Sequence, residues 1–330
     1  MEKYVGRVNE TKYDFEATKG ENGGYQWADW LSYEDMENCS GRGWEKRDGK
    51  WVPLPRTRQY WNYLGACYWL WDARMMARMA EVIGKDAGKY EKMAEEAKAY
   101  LKERFFGADD GLILPVFREM QTPAVFALKF GLVEGAAREQ TLAGLLANIK
   151  SHGDCLQTGF LGTSLLMDVL TESGCADVAY TLLLQHKNPS WLYSVDQGAT
   201  TVWERWNSYT KKDGFGDVGM NSFNHYAYGA VHAWLYRTAA GIAADPADPG
   251  FRHIVMKPLP DRRLGYVKAE YKSAAGLVKS AWPSWLPLTR MCSGRPPLLA
   301  AWKASSRLLC PCWLNTCWKP IPLWTRPAFM

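Results

Sequence analysis

The stretch Tyr60–Gly84, YWNYLGACYWLWDARMMARMAEVIG, decides the fold class. Its apolar residues recur at three- and four-residue spacing and the pattern stops at a glycine, which reads as one long helix. The next segment, Lys89–Gly107, KYEKMAEEAKAYLKERFFG, carries a charged outer face and also ends on glycine. Working outward, the same period predicts helices at Pro123–Phe130, Ala136–Ile149, Leu161–Leu170, Ala176–Leu184 and Asn221–Ala239. Loops rich in Gly, Pro and Asp separate them. Helices of this length in succession, with no strands between them, predict paired helical hairpins. After the turn-rich DPADPG, Asp245–Gly250, the period changes. FRHIVMKPLP, LGYVKAEYKS and GLVKSAW alternate, or carry β-branched and aromatic residues at strand length. Three strands cannot close a sandwich, so only the start of an all-β domain is expected.

The chain has 330 residues, 47% of them apolar and 23% charged, a globular composition with room for a substantial core. Its 17 Trp are unusual. Flat apolar rings pack on the C–H faces of sugars, so this excess fits a protein that handles carbohydrate as well as one with a Trp-rich core. The net charge of +5 is misleading. Residues 283–330 hold six Lys or Arg and no acid, which leaves the rest near −1 and gives no electrostatic case for nucleic acid. The same 48 residues hold eight Pro, five Trp and four Cys, with no sustained period, and are expected to form an aberrant, disordered tail. A reading frame shifted near Trp282 would produce such a composition. The polar start lacks a secretory apolar core, no apolar run is long enough to span a membrane, and the other cysteines are scattered. The expectation is therefore a cytoplasmic chain with no membrane partner.

Chemistry concentrates in a few segments. Gly198–Trp206, GATTVWERW, sets Glu204 between Trp203 and Trp206, with Arg205 beside it. A carboxylate near large rings loses hydration, and a cation or hydrogen-bond donor must compensate. The segment reads either as a solvated turn whose rings pack elsewhere or as a site. QWADWLSYEDMEN places Asp29, Glu34, Asp35 and Glu37 near Trp27 and Trp30. LQTGFLGTSLL opens a helix with Gly159 and Gly162, PSWLYSVDQ carries Trp191 and Tyr193, and MNSFNHYAYGAVHAW carries His225 and His232. The two histidines lack zinc-motif spacing, and GFGDVG lacks the strand and acidic residue of a dinucleotide site, so neither metal nor cofactor is expected. Carboxylates, aromatic rings and histidines are the toolkit of glycoside hydrolysis, where two carboxyl groups flank the scissile bond. A non-catalytic carbohydrate-binding fragment would draw on the same residues.

Taken in order, TGFLGT, PSWLY, GATTVWERW, GMNSFNHYAYGAV and YKSAAGLVKSAW resemble the catalytic domain of bacterial α-L-rhamnosidases, glycoside hydrolase family 78, over about Tyr25 to Trp282. The resemblance implies a mainly helical, incomplete (α/α)6 six-hairpin barrel over residues 1–242 and a partial β-sandwich over 250–282. It implies inverting hydrolysis of terminal α-L-rhamnose, with Glu204 as general base and a rhamnose-containing oligosaccharide or glycoside as partner. It also implies substrate contacts at Trp30 and His225. Trp203 and Trp206 are expected to contact the substrate and to limit water at the site, and Asp29 either bonds a sugar hydroxyl or caps the following helix. Two departures stand out. The family's GDW motif is here ADW, with Ala28 for glycine. The family's general-acid motif, resembling CPQRDERxGWxGD, has no match before Asp29, so the chain is expected to lack that acid and to be a piece of a longer enzyme, inactive alone. A six-hairpin hydrolase acting on another sugar is the remaining alternative.

Overall fold

The computed structural model describes residues 28–33, 44–53, 55–109, 111–112, 115–216, 218–219, 221–283 and 308–309. The chain divides into two compact units, Met1–Val231 and His232–Met330.

In the first unit a short hairpin, β1 (Trp44–Arg47) and β2 (Lys50–Pro53), precedes the helices. Its turn is Asp48-Gly49, with φ of 49° and 78°. Two successive left-handed residues suit a two-residue hairpin, and Asp-Gly is a favoured pair there. Then come α1 (Pro55–Val82) and α2 (Gly88–Phe105), packed as a hairpin. They are followed by the single turn α3 (Pro115–Arg118), α4 (Gln121–Lys129), α5 (Gly135–Ser151), α6 (Phe160–Glu172), α7 (Ala176–Leu183) and α8 (Trp191–Asp196). Helix α4 packs on both α5 and α6, and α6 on α7.

Burial separates inner helices from outer ones. Every residue of α4 from Gln121 to Leu128 is buried, and so is nearly all of α1 from Tyr60 to Leu70. A helix apolar on all sides needs neighbours on all sides. By contrast α2 buries only Met93, Ala94, Ala97, Leu101 and Phe105, a single stripe, and α5 only Ala137, Leu145 and Ile149. Glu91 in the first turn of α2, with Lys102 and Arg104 in the last, also complements the helix dipole. Helix α1 meets α2 and α3 through an aromatic cluster in which the Tyr63 ring lies 5.3 Å from Phe105 and 5.4 Å from Phe117. The Tyr63 hydroxyl donates to the Pro123 carbonyl at 2.9 Å, tying α1 to α4.

The helix expected at Asn221–Ala239 forms only in its second half. Residues 221–226 are irregular, and Ala227–Ala230 is a 3-10 turn that leads into α9 (Val231–Trp234) and a π turn at Leu235–Ala239. The reason is where the backbone bonds go. Ser222 exchanges bonds with Glu204, the His225 amide donates to Val202 and Thr201 donates to the Phe223 carbonyl, so helical partners are replaced by cross-loop ones.

In the second unit β5 (Ile242–Ala244) pairs antiparallel with β6 (Ile254–Met256), and β7 (Tyr266–Ser273) pairs antiparallel with β8 (Gly276–Pro283). Along β8 Val278, Ser280 and Trp282 are buried while Leu277, Lys279 and Ala281 face out, the period-two pattern of a half-buried strand. Val278 joins Ala240, Ile242, Ile254 and Met256 in one core. Beyond Pro283, which ends β8, only β9 (Leu308–Leu309) is described, a two-residue strand parallel to β6; the disordered tail expected over 283–330 otherwise lies outside the described residues. No helix among the described residues is long and apolar enough to cross a membrane.

Candidate active site

Two loops build the site around Glu204. The first, Gly198–Trp206, follows α8; the second is the irregular run 221–226. The Glu204 amide donates to the Ser222 carbonyl at 2.9 Å, and the Ser222 amide donates back to Glu204 Oε2 at 2.8 Å. Of the two compensating groups expected beside the carboxylate, the backbone donor is therefore in place. Nothing among the described residues donates to Oε1. The Ser208 carbonyl accepts from the Gly216 amide and from Asn221 Nδ2, both at 2.8 Å, which draws the hairpin of β3 (Tyr209–Thr210) and β4 (Gly214–Phe215) onto the same loops. The GFGDVG run thus begins in a hairpin strand rather than after a strand and before a helix.

Trp203 and Trp206 correct an expectation. They are 7% and 2% exposed, too buried to line a cavity open to a sugar. Trp206 stacks on Tyr228 with centroids 3.9 Å apart and meets the Trp191 ring edge-on at 5.4 Å, while Trp203 packs edge-on against Phe223 at 5.3 Å. They are the rigid wall behind Glu204. Arg205 has a buried Nε with no partner among the described residues, and its charge acts on the phenols of Tyr33 and Tyr228.

Asp29 is also corrected, on both of its expected roles. Its side chain is fully buried. Oδ2 accepts from Thr122 Oγ1 at 2.5 Å and the Gly159 amide at 2.7 Å; Oδ1 accepts from the Leu161 and Gly162 amides at 2.7 and 2.9 Å. Four donors occupy the carboxylate, leaving it no role toward a sugar hydroxyl. Instead it satisfies the orphan amides at the N-terminus of α6, a helix 130 residues away in sequence rather than the following one. Burial raises the Asp29 carboxyl above its ordinary range, although all four hydrogen bonds pull it down. The two glycines of TGFLGT make the close approach possible. A Cβ on Gly159 would lie 2.3 Å from the carbonyl oxygens of Asp29 and Trp30, and one on Gly162 would lie 2.4 Å from Thr122 Oγ1.

That anchoring places Trp30. The Phe160 amide donates to the Trp30 carbonyl at 3.0 Å, while Ser32 Oγ and the Tyr33 amide both donate to the Gln157 carbonyl. The Phe160 ring lies 4.8 Å from His225 and 5.1 Å, edge-on, from Tyr228; the Tyr228 hydroxyl reaches back to the Leu31 carbonyl at 3.2 Å. Trp30, His225 and the Glu204 loop are thereby joined through Phe160 and Tyr228, and all three of those predicted residues are half-buried. Phe160, Tyr228 and Ser222 were not singled out from the sequence, although each lies inside a segment that was. Glu34, Asp35, Glu37 and Trp27 lie outside the described residues. His232 is exposed, and its ring packs on Tyr236 at 5.1 Å.

Paired inner and outer helices, with a carboxylate held on loops at their ends and a small β unit following, define a helical-hairpin glycosidase. The comparisons agree. Residues 1–239 match the bacterial alpha-L-rhamnosidase six-hairpin glycosidase domain, and residues 241–284 match the bacterial alpha-L-rhamnosidase C-terminal domain. The chain belongs to the bacterial α-L-rhamnosidase six-hairpin glycosidase family. It is 39% identical over 223 residues to an α-L-rhamnosidase of Formosa agariphila, covering 67% of this chain and 24% of that protein. It is 39% identical over 221 residues to one of Streptomyces avermitilis, covering 67% of this chain and 21% of that one. Among solved structures, the Streptomyces avermitilis α-L-rhamnosidase complexed with L-rhamnose superposes with a TM-score of 0.65 at 34% identity, over 78% of this chain and 22% of that chain. The α-L-rhamnosidase from Dictyoglumus thermophilum gives a TM-score of 0.65 at 27% identity, over 86% of this chain and 29% of that chain. The chain thus spans about a quarter of the length of these relatives.

Proposed function

We propose that this chain supplies the base half of an inverting α-L-rhamnosidase, with a terminal α-L-rhamnose of a glycoside or oligosaccharide as its substrate and no cofactor. The reading is carried by Glu204, whose Oε2 is fixed by the Ser222 amide while Oε1 has no donor among the described residues. A carboxylate held at one oxygen and open at the other can orient a water and take its proton as that water attacks the anomeric carbon. The leaving-group oxygen departs from the opposite face, where a general acid must protonate it. The family's acid motif has no counterpart in these 330 residues, so turnover by this chain requires that motif to be supplied.

The expected outcomes are specific. The chain joined to the acid-bearing segment of a relative hydrolyses an aryl α-L-rhamnoside roughly 10²–10⁴-fold faster than the chain alone. In the joined form, Glu204→Gln lowers kcat by about the same factor while L-rhamnose still binds. NMR of the first-formed sugar shows β-L-rhamnose. Release of the α anomer, or normal turnover by Glu204→Gln, overturns the assignment. Binding without turnover in either form would favour a carbohydrate-binding role.

A further inference from the structure

We propose that Phe160 selects for the 6-deoxy position of the sugar, an inference that rests on the rhamnoside reading above. Phe160 opens α6 and lies between the two predicted sugar contacts. Its amide donates to the Trp30 carbonyl at 3.0 Å and its ring lies 4.8 Å from the His225 ring. Behind it Trp206 and Tyr228 are 2% and 1% exposed, so they form the wall, whereas Phe160 itself is half-buried. Tyr226 also stacks on His225, but at 88% exposure it offers no desolvated contact.

The chemistry of the ligand matches this division. Among the groups of L-rhamnose, the C6 methyl is the apolar substituent; the free ring positions carry hydroxyls. His225 Nδ1 accepts from the Ala227 amide at 3.3 Å, so Nε2 is the ring nitrogen that can meet a hydroxyl, whereas a phenyl ring offers neither donor nor acceptor. Against it a methyl gains contact, while the C6 hydroxyl of L-mannose loses hydration without a partner. An apolar pocket rejects an added hydroxyl only moderately, by about 10²-fold.

The test is direct binding of L-rhamnose and L-mannose to the full chain, by titration calorimetry or Trp fluorescence. The expected preference for L-rhamnose is about 10–100-fold. Phe160→Ala shrinks that ratio about tenfold, chiefly by weakening L-rhamnose, and Phe160→Leu keeps most of it. Should Phe160→Ala not fold, Phe160→Tyr retains the ring and adds a hydroxyl, and the ratio moves toward L-mannose. A purely structural role would lower both affinities together and leave the ratio unchanged, which overturns the inference. So does a wild-type chain that binds both sugars equally, although the rhamnoside reading then stands. If L-rhamnose does not bind at all, the rhamnoside reading falls and takes this inference with it.

Discussion

Ala28 and Asp29 are neighbours with opposite consequences for stability. Ala28 sits at φ 51°, a left-handed conformation in which a Cβ is strained and glycine is not. The family motif that this segment resembles has glycine there. Ala28→Gly is therefore expected to raise stability by roughly 0.5–1 kcal/mol, the relief of strain exceeding the added freedom of the unfolded chain. Thermal unfolding checks this, and an unchanged or lower midpoint would count against a strained turn. Asp29→Asn places an amide NH₂ against two buried donors that now meet a carboxylate oxygen. A loss of about 3 kcal/mol is expected from the unpaired donors. None of this was legible in the residues themselves. ADW could be read as a turn with a ring, but Asp29's partners lie 93–133 positions away. The burial of Trp203 and Trp206 was equally hidden, because an indole that walls a site and one that lines it are the same letter in the sequence.

Elements were legible where the bonding is local. Helix α1 was visible because its apolar spacing and terminal glycine lie within one stretch, and α5 and α7 were placed within a residue or two for the same reason. The run 221–226 was misread as helix because its amides and carbonyls are claimed by the Glu204 loop, a partner that no local period reports. The β1–β2 hairpin was missed although Asp48-Gly49 carries a strong turn signal. At this scale the junction of α6 with Trp30 yields the sharpest prediction. Gly159→Ala would drive a Cβ into two backbone carbonyls, which cannot rotate away, and is expected to lower stability by about 3 kcal/mol. Gly162→Ala meets the Thr122 side chain and the Asp29 carboxylate, and is expected to weaken L-rhamnose binding as the Trp30 segment is displaced. Full stability with normal binding in both variants would show that this junction does not hold Trp30.

At the scale of the molecule, the two units respond to acid with opposite signs. In the helical unit the shifted carboxyls among the described residues, Asp29 and Asp72, are raised by burial. A folded carboxyl raised above its ordinary value of 3.8 keeps its proton to higher pH than the unfolded chain does. Its favourable contribution is fully present below that value and is lost as pH rises through the raised one. In the β unit the shifted carboxyls all move down: Asp245 through the Ala247 amide and His253, Asp261 through Arg263, and Glu270 through Lys279. Their contribution is present above the ordinary values of 3.8 for Asp and 4.5 for Glu, and is lost as pH falls through the lowered ones. Acidification below about pH 4.5 should therefore loosen β5–β8 while Asp29 increasingly favours the fold around α4 and α6. Amide exchange followed by mass spectrometry, corrected for intrinsic rates, reads the two regions in one sample. Peptides from 242–283 are expected to lose protection at higher pH than those from 121–172. The Lys279–Glu270 pair is largely exposed, so added salt should narrow the gap without closing it, because His253–Asp245, at 2.5 Å, is more sheltered. Loss of protection in the helical peptides first would mean that groups other than these carboxyls govern the acid response.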